Sequence, residues 1–148
     1  MNVFRNPFLL VVLLCSLFLV KCTCDDDTTG DPDTTSLVET ISKEWKISTL
    51  TVNGDAVSDT EDFVLELNQS GDAPTTFTVT TGGVAYNFAG ATSGSWSLDN
   101  NDAPTQATFA GKTVDFTASA SQLTISYDET AADGKPEPAV RFVLVPKI

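Results

Sequence analysis

Three cysteines, Cys15, Cys22 and Cys24, are the chain's only thiols, and all three fall within its first 24 residues. Histidine is absent. Beyond residue 24 the chain therefore offers no His-based triad, no thiolate nucleophile and no zinc site of the usual kind. Carboxylates are abundant, and a pair such as Glu61 and Glu66 is the residue type that acid–base hydrolysis of a glycoside requires. Both sit among ordinary polar strand and turn positions, which points to solvated carboxylates. From Asp25 to Asp33, oxygen ligands recur at alternate positions with Gly30 sixth, as in a calcium loop. The twelfth position is Ser36, where a bidentate glutamate belongs, and no helix precedes the segment. These residues predict a chain that is not an enzyme and that carries no metal or other cofactor.

The elements that surround those residues explain the cysteines better. No acid occurs in residues 1–21, Arg5 supplies a positive start, and Phe8–Val20 is apolar except for Cys15 and Ser16. The run is shorter than the ~20 residues a membrane-spanning helix needs. A basic start before a short apolar stretch is the pattern of a secretory signal peptide over residues 1–21; the alternative is an uncleaved anchor. Cys22 follows Leu19-Val20-Lys21, which resembles the lipobox of bacterial lipoproteins, although Lys21 stands where that family has a small residue. The resemblance implies lipidation (a palmitate-type acyl chain) at Cys22, with Cys24 as second choice. Asp25-Asp26-Asp27 directly after the cysteines resembles the surface-export signal of one Gram-negative phylum. The localisation this implies is the outer membrane, lipid-anchored, facing the periplasm or the cell surface. Plain secretion with a Cys22–Cys24 pair in a tail is the alternative.

Residues 22–36 contain almost no apolar side chain and predict an acidic flexible tether, because such a stretch cannot bury enough surface to offset its ordering entropy. Its two Asp-Thr-Thr triplets resemble an O-glycosylation signal at Thr28 and Thr34. Cleavage before Cys22 removes Arg5 and Lys21 and leaves 20 acidic against 6 basic side chains, a formal charge of −14. Phosphate binding needs clustered Lys and Arg, so nucleic acid is excluded as a partner.

Residues 37–148 read as one domain. Leu37, Val38 and Ile41 have helical spacing behind Ser36, a good N-cap, which predicts one short helical turn. After it the apolar period falls to two. Trp45, Ile47 and Thr49 open a strand that ends at Asn53-Gly54-Asp55. Alternating strands follow around Phe63–Leu67, Phe77–Val79, Trp96–Leu98, Ala107–Phe109, Val114–Ala118 and Leu123–Tyr127, and Val140–Val145 is a near-continuous apolar run. Val84–Phe88, between Gly82-Gly83 and Gly90, reads as an irregular apolar stretch, either loop or short strand. About eight short strands with turn residues between them predict an all-β, antiparallel, up-and-down barrel, which removes exposed edges; a β-sandwich is the alternative.

A helical turn running into Lys43-Glu44-Trp45-Lys46-Ile47, then an Asn-Gly turn, a central Ser93-Gly94-Ser95-Trp96, and Leu123–Tyr127 followed by Arg141-Phe142-Val143-Leu144 resemble the lipocalin-like bacterial lipoproteins. The resemblance spans residues 37–148. It implies an eight-stranded barrel with a late Arg141 packed across the Trp45 indole, although Lys43 occupies the family's glycine position. It also implies a pocket for a small apolar ligand. Phe77, Trp96, Phe116, Tyr127 and Phe142 are expected to point inward, and Tyr86, Phe88 and Trp96 are the candidate ligand-binding residues at or near a pocket mouth. Two partner readings follow: a small apolar ligand held in the barrel, or an outer-membrane protein served by a filled, non-enzymatic barrel whose Val143 and Val145 face outward.

Overall fold

The computed structural model describes residues 35–129 and 138–148. The signal, Cys15, Cys22, Cys24, the calcium-like segment and the triplets with Thr28 and Thr34 lie outside the described residues. So does most of the turn before Val140.

Among these residues the chain forms one short helix, α1 (Leu37–Ile41), and nine strands: β1 (Glu44–Val52), β2 (Asp55–Ala56), β3 (Val64–Ser70), β4 (Ala73–Thr80), β5 (Ser93–Leu98), β6 (Gln106–Phe109), β7 (Lys112–Ala118), β8 (Leu123–Asp128) and β9 (Ala139–Pro146). Ser36 caps α1 by accepting the Glu39 amide at 3.1 Å. Val38 and Ile41, three apart and so on one face of the helix, are fully buried.

From β3 to β9 each strand pairs antiparallel with its chain neighbour, β1 pairs with β3, and β1 with β9 closes the circle from Trp45↔Pro146 to Val52↔Val140. The result is the closed eight-stranded up-and-down barrel, with β2 as an extra strand hydrogen-bonded to the end of β1. Two hairpins are set by short turns. Asn53 and Gly54 both take positive φ (54° and 91°), the geometry of a two-residue turn that matches strand twist. Ala110 and Gly111 do the same between β6 and β7, at 49° and 89°.

The alternating pattern places Leu65, Leu67, Phe77, Val79, Trp96, Ala107, Phe109, Val114, Phe116, Leu123, Ile125, Tyr127, Val140, Phe142 and Leu144 inside. The five aromatics expected to point inward are all buried. β1 departs from simple alternation. A bulge between Ile47 and Thr49 shifts its register against β9, so Leu50 turns inward and Thr49, expected in line with Trp45 and Ile47, faces out. An extra residue in one strand reverses the inside-outside phase beyond it. Val143 and Val145 alternate outward with the buried Phe142 and Leu144 and are half-buried.

The candidate binding site is a filled barrel interior

α1 lies at the end where β1 begins. Trp45 donates its indole Nε1–H to the Ile41 carbonyl at 2.8 Å, so the helix's last free acceptors and a buried donor satisfy each other. Lys43 places its Nζ 5.0 Å from the Trp45 ring centroid and donates to the Ala120 carbonyl at 3.0 Å. Arg141 does not cover the indole. It pairs with Thr51 on β1 and Ser126 on β8, out of phase with Val140 and Phe142, and is exposed on the outer wall. The lysine in the glycine position thus supplies the cation on the ring that the resemblance assigned to Arg141.

The opposite end holds the loop between β4 and β5. Gly82 there has φ 58°, and a Cβ on it would collide with the Asp62 backbone, so only glycine lets the loop approach. Asn87 ties the following turn with its own side chain, donating to the Ala91 carbonyl at 3.1 Å and accepting the Ala89 amide at 3.0 Å. This clamp drives Phe88 into the barrel, where it is 0 % exposed. Its ring meets Phe109 at 5.0 Å and Phe142 at 5.5 Å, both edge-to-face. Phe109 also contacts Phe77, Trp96 and Phe116, while Phe142 contacts Phe63 and Tyr127. Phe88 therefore joins two aromatic groups on different walls of the barrel.

Of the three candidate ligand-binding residues, the structure brings only Tyr86 near solvent. Trp96 is 2 % exposed, lies parallel to Phe109, and donates its Nε1–H to the Asn68 carbonyl at 2.8 Å. Phe88 packs as described. Tyr86 is half-buried against the core. Glu61 lies exposed in the loop before β3, and Glu66 faces Glu44 across the β1–β3 pair.

Sequence reasoning missed one feature at this end. Lys112 shares the inward phase of Val114 and Phe116, and its Nζ lies 4.2 Å from the centroid of Tyr127. Tyr127 is 8 % exposed, and its hydroxyl is buried with no hydrogen-bond partner among the described residues. Burial raises its pKa well above the ordinary phenol value, and the nearby Glu129 carboxylate and Tyr86 push it the same way. The even spacing 112–114–116 was the available signal, but a lysine at the end of a strand reads as a turn residue until its neighbours are known.

Comparison with known proteins leaves this geometry to stand alone: the chain matches no family model, no curated protein and no solved structure.

Proposed function

We propose that residues 37–148 form a non-enzymatic interaction module, held at an extracytoplasmic membrane surface by an acyl chain on Cys22, in which the barrel is a rigid scaffold and its outer wall does the binding. The observation that carries this reading is Phe88. An eight-stranded barrel is just wide enough either to be filled by its own side chains or to hold one small ligand. Here a loop aromatic occupies the space between Phe109 and Phe142. The absence of histidine, and of cysteine beyond residue 24, supports a non-enzymatic role. The second reading, a small apolar ligand admitted beside Tyr86, draws its support from that residue's half-buried position and from the nearby Tyr127 hydroxyl, which has no partner among the described residues.

Titration with a fluorescent fatty acid separates the two. A scaffold gives no saturable binding, and Tyr86→Ala changes nothing. Saturable binding that Tyr86→Ala weakens would replace the scaffold reading with the ligand reading. The anchor is tested independently by metabolic labelling with a fatty-acid analogue, which Cys22→Ser should abolish. Labelling that survives Cys22→Ser but is lost in Cys24→Ser would move the anchor to Cys24.

A further inference from the structure

The loop between β4 and β5, residues 81–92, is packed into the barrel and yet hydrogen-bonded to itself. Among the described residues, every hydrogen bond made by 82–91 closes inside the loop. Val84 donates to the Thr81 carbonyl at 2.9 Å, Gly90 donates to the Asn87 carbonyl at 3.2 Å, and the Asn87 side chain joins Ala89 and Ala91. Bonds to the strands resume only at Thr92, whose carbonyl accepts the Val79 amide at 2.7 Å. Apolar contact holds the rest: Val84, Phe88 and Ala89 are buried in the core, with Tyr86 half-buried against it.

A strand leaves a sheet only by breaking its ladder, whereas this loop can leave and keep all of its own bonds. Segments held in this way open as units, below the free energy of global unfolding. Gly83 and Gly90 bracket the buried residues at φ 93° and 66°, with open space where a Cβ would stand, so both ends of the segment have room to turn. The closed form also carries a cost that opening relieves. The Tyr127 hydroxyl is buried with no partner among the described residues, and Tyr127 and Phe88 pack on the same ring, Phe142. Withdrawing Phe88 lets water approach that side of Tyr127 and supply the missing hydrogen bond.

We propose that residues 81–92 are a plug that leaves the barrel as one unit while the eight strands stay paired, uncovering Phe109 and Phe142. The closed form is the filled scaffold described above. The inference goes beyond that reading by giving the scaffold a second state, and it requires no ligand.

The test is thiol labelling of the full chain, followed residue by residue by peptide mass spectrometry so that Cys15, Cys22 and Cys24 are counted separately. Ala89→Cys reports on the plug, and Ala107→Cys on β6 reports on the strands; the two parent side chains are 4 % and 1 % exposed. Labelling at position 89 should run about 100-fold faster than at 107 and climb less steeply with urea, because the loop exposes less surface than the whole domain. Equal rates with equal slopes would mean that the loop opens only when the barrel unfolds. A rate at 89 that urea leaves unchanged would mean that the closed loop admits the reagent. Either result overturns the inference. Hydrogen exchange of the Ala89 and Gly90 amides in the unsubstituted chain should show the same intermediate slope, so the answer does not depend on either variant folding. Adding Gly82→Ala, whose Cβ would collide with the Asp62 backbone, should raise labelling at position 89 about tenfold by disfavouring the closed form. Unchanged labelling there also overturns the inference. No ligand enters these measurements, so the fatty-acid titration decides the scaffold reading separately.

Discussion

At the end of the barrel where β1 begins, two indoles and two loop amides are matched to nearby acceptors: Trp45 to Ile41, Trp96 to Asn68, and the Thr105 and Gln106 amides to Asp99; the Gln69 side-chain oxygen beside them is buried without a partner among the described residues. At the opposite end the Tyr127 hydroxyl is buried and has no partner among the described residues, and a lysine lies on its ring. The first end is closed by five helical residues whose spacing supplies both the apolar face and the acceptor. The second is closed by a loop whose shape depends on Gly82 and on the side chain of Asn87. Local backbone hydrogen bonding gives the first cap an acceptor for its buried indole. The cap made by inserting the Phe88 ring gains apolar contact and brings no acceptor to the Tyr127 hydroxyl among the described residues.

The comparison is broken most directly at Phe88. Phe88→Ala should destabilise the domain by about 3–5 kcal/mol, as loss of a close-packed core aromatic does. Urea unfolding beside Phe116→Ala, a buried strand residue, checks it; a loss far below the control's would mean the loop does not fill the barrel. At the other end Trp45→Phe removes the donor to Ile41 along with some volume, and should cost about 1–3 kcal/mol by the same measurement. A smaller effect of opposite sign is expected for Tyr127→Phe, about 1 kcal/mol of added stability, because it deletes a buried hydroxyl that has no partner among the described residues.

The two ends also respond to pH from opposite sides. Burial raises the Tyr127 pKa above the ordinary 10.0, so the unfolded chain loses this proton first. Stability is held below pH 10 and falls as pH rises beyond it. Tyr127→Phe should flatten that alkaline limb in a melting series. Asp99 behaves conversely. The Thr105 hydroxyl first, then the Gln106 amide, hold its pKa at about 2 against an ordinary 3.8, despite full exposure. Its contribution is complete above 3.8 and is lost as pH falls through about 2. The smallest predicted effect is therefore a local one: the Thr105 and Gln106 amides should lose protection in that acid window, and Asp99→Asn should make their behaviour independent of it.

Much of the barrel was legible because its strands alternate. A period of two, broken by Asn53-Gly54, Ser70-Gly71 and Ala110-Gly111, states the number of strands, their order and most of the core. The bulge in β1 was not legible, since Ser48 and Thr49 are polar whichever way they face. Nor was the fate of Phe88, because an aromatic on an irregular loop reads equally as gate or plug until the far wall is known. The exchange of Lys43 for Arg141 at the Trp45 ring was hidden for a related reason. It depends on register across β1 and β9, strands separated by almost the whole domain.

That seam also sets the order of events when the chain folds. β1 is the first strand made and β9 the last, and their pairing is the longest-range contact in the barrel. Every other strand pair from β3 onward is a neighbouring hairpin and can form as soon as its second strand exists. Until β9 arrives, β1 and β8 present open edges, and the aromatic inner faces stay wet. Long-range closure of this kind slows folding and lengthens exposure of sticky surface. The acidic surplus then acts before the native state exists, keeping unfinished chains apart while the last strand is found.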